Sequence, residues 1–218
     1  MPSRELLVVG LGTLGDDVPY IDEAPGDRPH FRVVVVAASA GGLNALAALL
    51  TGLPIDFPLP LAIVQHLDPN HVSLIAHILA RRTKLPVKEA ESDDILMPGV
   101  VYVAPPGWHM VIVPGGTIHL THTAPVHFVR PSADELFESA ARAFGPAIAV
   151  ILSGTGIDGA AGATAVKALG GTVIAQDEAT ALFFGMPQAA IESGAVDFVL
   201  PVDDIAAQLV NLVGSSMS

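Results

Sequence analysis

From Val33 to Leu43 the chain reads VVVVAASAGGL. Four consecutive valines leave no polar face. β-Branched side chains favour a pleated surface, and an apolar run without alternation is a strand covered on both sides, as in a parallel sheet. The run ends in one hydroxyl, Ser39, and two glycines, Gly41 and Gly42. Ser39 adds nothing to packing there. The glycines remove side chains where a backbone bends or something comes close. A turn, a phosphate cradle and an exposed nucleophile all satisfy this pattern. The same stretch opens 23 uncharged residues, Val33 to Ile55, enough to cross a bilayer. Ser39, Gly41, Gly42, Asn44 and Pro54 suit a strand, a turn and a buried helix better than one lipid-facing helix.

The unit recurs. Strand patterns fall at Arg32–Ala38, Leu61–Gln65, Val100–Ala104, Ala147–Leu152, Thr172–Ala175 and Phe198–Leu200. Helix patterns fall at Gly42–Leu50, Val72–Arg82, Ala133–Phe144, Gly159–Ala168, Pro187–Ser193 and Asp204–Val213. Alternating βα units imply right-handed crossovers, so the expected fold is α/β: one doubly wound, mainly parallel sheet with helices on both faces. His109–Thr121 is the exception. Two short strands flank Pro-Gly-Gly and read as an antiparallel β-hairpin. Ser132 and Glu135 stand at capping-box spacing before the helix Ala133–Phe144. Residues 1–30 read as an N-terminal arm, with weak strand potential at Leu6–Val9 and three prolines between Asp16 and His30. Residues 31–218 read as one domain, long enough to bury roughly 70% of the surface of the unfolded chain.

Charge narrows the partners. Ten basic against 22 acidic residues give a net charge of −12, which disfavours nucleic acid and anionic membranes, since both reward Lys and Arg. The chain has no cysteine. Disulfides, thiolate metal sites and a cysteine nucleophile are therefore excluded, and a reducing compartment fits. The first residues lack the long apolar stretch of a signal peptide, so a cytoplasmic location without membrane insertion is expected.

Three polar residues share one address. Ser39 follows the first strand, His66 follows Leu61–Gln65, and Asp158 lies in SGTGIDG after Ala147–Leu152. Each stands just past the carboxyl end of an expected parallel strand, where ligands collect in open α/β sheets. They are also the residue types of an acyl-transfer triad. A hydroxyl needs a base to take its proton. An imidazole takes and returns protons near neutrality. A carboxylate fixes the imidazole tautomer and stabilises the cation. Free N–H groups at the helix start after Ser39 favour negative charge, and Gly154 and Gly156 let a second segment approach, with an oxyanion donor expected near Thr155. Each residue alone is more often a turn former, a helix cap or a structural hydrogen-bonder than a catalytic group. Three at one sheet edge bring the two accounts level.

The chain resembles the catalytic domain of CheB-type protein-glutamate methylesterases over about 31–209. AASAGG is similar to the family's nucleophile segment at Ser39, Gln65-His66 to its histidine segment, and GTGIDGA to its aspartate loop at Asp158. VAPPGWHM, RPSADELF, AQDEATALFFGMPQAA and GAVDFVLPVDDIA resemble further family segments in the expected order. The resemblance implies a cytoplasmic chemotaxis enzyme of signal transduction. It would hydrolyse glutamyl γ-methyl esters, and also deamidate selected glutamines, on methyl-accepting receptor helices. The catalytic residues would be Ser39, His66 and Asp158, with no metal or organic cofactor. Two positions depart from the family pattern: Ala40 where Thr is typical, and Thr155 where Met is typical. About 30 residues precede the matching region, too few for the receiver domain of the familiar architecture. A natural stand-alone esterase regulated in another way is the expectation.

Other signals are weaker. GLGTLG at Gly10–Gly15 is a formal dinucleotide fingerprint, but Asp16, Asp17 and Pro19 stand where its helix should run. His119, His122 and His127 have poor ligand spacing for a strand. His71 and His77 do not share a helix face cleanly. His109 lies near the expected site edge without an assigned role. Arg81, Arg82 and Lys84 form the one basic cluster, a solvated helix end or a contact for acidic receptor helices. The alternative function is an esterase-like binding module whose Ala40 and Thr155 mark lost activity. A third reading keeps the triad and changes the substrate to a small ester or amide.

Overall fold

The computed structural model describes residues 31–66 and 73–216. The arm, Leu6–Val9, Gly10–Gly15 and His71 lie outside them. Strand β1 (Val34–Ala38) is wholly buried and turns at once into helix α1 (Gly42–Gly52). The turn accounts for both glycines. Gly41 has φ 73°, a conformation that costs an L side chain roughly 1–2 kcal/mol. A Cβ on Gly42 would lie 2.6 Å from both Ala38 Cβ and Gln65 Oε1. The uncharged run is thus a central strand and its covering helix.

Strand β2 (Leu61–Gln65), helix α2 (Ile75–Ala80) and strands β3 (Val87–Glu89) and β4 (Val101–Val103) follow. A hairpin comes next, β5 (His109–Val113) and β6 (Thr117–Thr121), paired antiparallel around Pro114-Gly115-Gly116. The second half is α3 (Ala133–Phe144), β7 (Ile148–Ile151), α4 (Ala160–Ala168), β8 (Thr172–Gln176), α5 (Gly185–Glu192), β9 (Phe198–Leu200) and α6 (Val202–Ser216). Seven strands form one sheet, ordered β3-β4-β2-β1-β7-β8-β9, with every pair parallel.

The period of β1 sorts the layers. Val34, Val36 and Ala38 face Leu46, Leu49 and Leu50 of α1, Leu79 of α2 and Leu209 of α6. Val33, Val35 and Ala37 face Leu136 and Phe137 of α3, Val166 of α4, Met186 of α5, and Met110 and Ile112 of the hairpin. Helices cover both faces, which is why the valines show no alternation. The chain lays β2 on one side of β1 and later returns to place β7 on the other. The carboxyl ends of β1 and β7 therefore flank the switch point where such sheets bind ligands.

One strand stands outside the expected set, and one expected cap does not form. Strand β3 was not legible, because Val-Lys-Glu at a sheet edge is short and charged, as protected edges are. The Ser132–Glu135 capping box does not form. Ser132 is the N-cap of α3, but its side chain makes no cap bond to that helix. Its hydroxyl donates instead to Asp158 Oδ1 at 2.7 Å.

Candidate active site

The register of β1 against β2 pairs Ala38 with Gln65. Ser39 and His66 are the next residues on these neighbouring strands, which run about 4.8 Å apart. Their backbones are tied together. His66 N–H donates to Ala38 O at 3.0 Å. The buried Gln65 amide donates to the carbonyls of Ser39 at 2.8 Å and His66 at 3.0 Å. Ser39 N–H donates to Ser153 O at 3.0 Å, fixing the Ser39 turn to the end of β7. Ser153 Oγ donates to Ala40 O at 2.8 Å and accepts Phe183 N–H at 3.0 Å. Its own N–H donates to the buried Gln176 side chain at 2.8 Å. Gln65, Ser153 and Gln176 carry no catalytic signature in sequence. Their placement directly after apolar runs was the available clue.

His66 Nε2 lies 2.8 Å from Asp158 Oδ2. This leaves Nδ1 as the ring nitrogen without that carboxylate. Ser39 Oγ makes no hydrogen bond to His66 among the described residues. His66 and Asp158 are joined, and Ser39 stands one strand over. Apo sites often hold such contacts loosely and tighten them around substrate.

Asp158 is buried and reached by four donors. Besides His66, these are Ser132 Oγ, Ala133 N–H at 2.6 Å and Asp134 N–H at 3.3 Å. The last two are N–H groups of the first turn of α3, so the carboxylate occupies the positive end of that helix. Burial works to raise its pKa, but the hydrogen bonds from His66, Ser132 and Ala133 outweigh it and hold the carboxyl below its ordinary value. Asp158 stays ionised.

Asp134 returns the arrangement. Its Oδ1 accepts Gly159 N–H at 2.9 Å and Gly162 N–H at 2.7 Å, capping α4 from α3. Each helix start is held by a carboxylate from the other, and Gly162 allows the close approach. Burial, helped by the charge of Asp158, pushes the Asp134 pKa up despite the two N–H bonds. His127 Nε2 lies 3.3 Å from Asp134 Oδ2, which has no hydrogen-bond partner among the described residues. His109 is fully buried. Its Nδ1 accepts Ser132 N–H at 3.1 Å and its Nε2 donates to Ala124 O at 3.1 Å, so it braces the residue that donates to Asp158.

Thr155 is exposed on the loop between Gly154 and Asp158. Gly154 is committed at both ends: its N–H donates to Phe183 O and its carbonyl accepts Met186 N–H, each at 2.9 Å. The N–H groups of Thr155 and Ala40 make no hydrogen bond among the described residues. His119 and His122 are exposed, and His122 meets Trp108 edge-on. Among the described residues no group of three or more His, Asp or Glu side chains is arranged to hold a metal ion, and no helix is long and apolar enough to cross a membrane.

The geometry has close counterparts. The family model for CheB methylesterase matches residues 34–209. A protein-glutamate methylesterase/protein-glutamine glutaminase of Anaeromyxobacter dehalogenans is 48% identical over 189 residues, covering 86% of this chain and 55% of the relative. The protein-glutamate methylesterase FrzG of Myxococcus xanthus is 42% identical over 186 residues, covering 85% and 56%. The crystal structure of the Thermotoga maritima CheB methylesterase catalytic domain superposes with a TM-score of 0.81 at 40% identity, covering 84% of this chain and 99% of that one. The chain spans about half the length of the curated relatives it matches.

Proposed function

Since the chain belongs to the CheB methylesterase family, we propose that it is a serine hydrolase cleaving γ-methyl esters of glutamate side chains in receptor-type proteins of the cytoplasm. The observation that carries the reading is the His66–Asp158 bond, set beside Ser39 at the switch point of the sheet. Ser39 is the nucleophile, His66 the general base and acid, and Asp158 the orienting carboxylate. With Nε2–H held by Asp158, Nδ1 takes the Ser39 proton as Oγ attacks the ester carbonyl. The tetrahedral oxygen is met by N–H groups near Thr155 and Ala40. Collapse breaks the ester bond, and methanol leaves with the proton from His66. Water then attacks the acyl-enzyme, giving its proton to His66. Collapse of the second tetrahedral intermediate breaks the bond to Ser39 Oγ, which takes the proton back from His66, and the product acid leaves as its carboxylate. A glutamine amide follows the same route with ammonia leaving, in keeping with the glutaminase names of the relatives.

The test is methanol release from a receptor fragment carrying glutamyl methyl esters. Wild-type chain releases methanol, whereas folded Ser39→Ala does not. Release at an equal rate by Ser39→Ala would overturn the assignment of the nucleophile, and no release by wild type would overturn the esterase reading.

A further inference from the structure

Residues Val126–Val129 form a tight turn. Val126 N–H donates to Val129 O at 3.1 Å, and Val129 N–H donates back at 2.9 Å. The two tip residues, His127 and Phe128, have φ of 49° and 65°. Turns of this hand normally take Asn-Gly or Asp-Gly, because a Cβ is strained there, most of all a bulky one. Strain of this kind gathers at functional sites. His127 Nε2 lies 3.3 Å from Asp134 Oδ2, and Asp134 N–H donates to Asp158. The turn thereby lies against the helix start that holds the candidate catalytic carboxylate. Phe128 is 102% exposed and stacks on no other ring among the described residues. Among the described residues the ring contributes nothing to the core.

Other apolar side chains stand exposed around the site. Exposed Ile157 directly precedes Asp158. Exposed Leu182 lies so close over the nucleophile turn that a Cβ on Gly41 would fall 2.8 Å from its Cβ. Phe183, also exposed, accepts Gly154 N–H beside Ser39. A small ester needs none of these contacts, whereas a protein chain passing the site would lie on them.

We propose that Phe128 is a specificity-determining residue that packs against an apolar side chain carried, beside the esterified glutamate, on the same segment of the protein substrate. This rests on the hydrolase reading of Ser39. The turn spends strain to hold the ring outward, and the ring favours protein-borne esters over free ones.

The experiment compares wild type, Phe128→Ala and Phe128→Leu on two substrates: a tritium-methylated receptor fragment and p-nitrophenyl acetate. Phosphonylation of Ser39 by a fluorophosphonate reports the site itself. Phe128→Ala is expected to lower the ratio of kcat/KM for the protein ester to that for the small ester about tenfold, the effect of re-exposing part of one aromatic ring. The loss should fall mainly in KM, and Phe128→Leu should restore most of it. An unchanged ratio, or an equal loss on both substrates, overturns the proposal while Ser39 labelling keeps the hydrolase reading intact. A wild type that neither labels at Ser39 nor cleaves either ester overturns both.

Discussion

Replacing Asp158 by Asn changes one atom type in a site where every neighbour is a donor. His66, Ser132, Ala133 and Asp134 all point N–H or O–H groups at the carboxylate. An amide offers one oxygen and one NH2, so one side must now meet donor with donor. The tolerable arrangement places NH2 toward Ser132, whose hydroxyl can turn to accept, and keeps the amide oxygen on Ala133 and His66. The ring is then still oriented, but the imidazolium that forms during attack has lost its counter-charge. With charge centres about 4 Å apart and an effective dielectric near 20, that loss is about 4 kcal/mol, or roughly 10³-fold in rate. The opposite amide orientation leaves the wrong tautomer and costs about 10⁴-fold. Burst and steady-state kinetics with p-nitrophenyl acetate should therefore show a 10³–10⁴-fold fall in kcat/KM at neutral pH. Stability should fall too, by about 1–2 kcal/mol, because the ionised carboxylate sits on the positive end of α3. The pKa of Asp158 is depressed on folding. Its stabilisation is therefore complete above the ordinary carboxylate value near 3.8 and is lost as pH falls through the lower folded value. The Tm gap between wild type and variant should be constant above about pH 5 and close in stronger acid. A kcat/KM within tenfold of wild type would refute the reasoning, since the carboxylate charge would then be idle.

Gly154→Ala puts a methyl group against Met186 Sδ and 2.9 Å from Ser39 Cβ. The Met side chain can yield, but the Ser39 turn cannot, so with Ser39 as the proposed nucleophile kcat should drop about 10²-fold with a smaller change in Tm; retained activity would show that Ser39 tolerates displacement. Gly162→Ala would set a Cβ 2.6 Å from Phe137 Cβ and 3.0 Å from Asp134 Cα. Forcing α3 and α4 apart should cost about 2–3 kcal/mol, a fall of about 4–12 °C in Tm by calorimetry, and an unchanged Tm would refute the cross-capping account.

The sheet was legible because burial on both faces writes itself into sequence as uninterrupted Val, Ile and Ala runs. The hairpin was legible because Pro114-Gly115-Gly116 can only turn. Ser39, His66 and Asp158 were each visible as polar residues just past such runs, and the structure joins His66 to Asp158 directly. What escaped was the support. Ser132 and Asp134 meet Asp158, Gly159 and Gly162 across some 25 residues of chain, and no local spacing encodes that. The capping box failed for the same reason: a carboxylate from another loop competes for the Ser132 hydroxyl and wins by its charge. Val87–Glu89 escaped because an edge strand needs only one covered side chain.

The account stands on Ser39 being activated by His66. Intact-mass and peptide mapping after brief exposure to a fluorophosphonate tests this without knowledge of the natural substrate. The account predicts one adduct per chain, on Ser39, forming in wild type and lost in His66→Ala. An adduct on another residue, or equal labelling of Ser39 without His66, would contradict it.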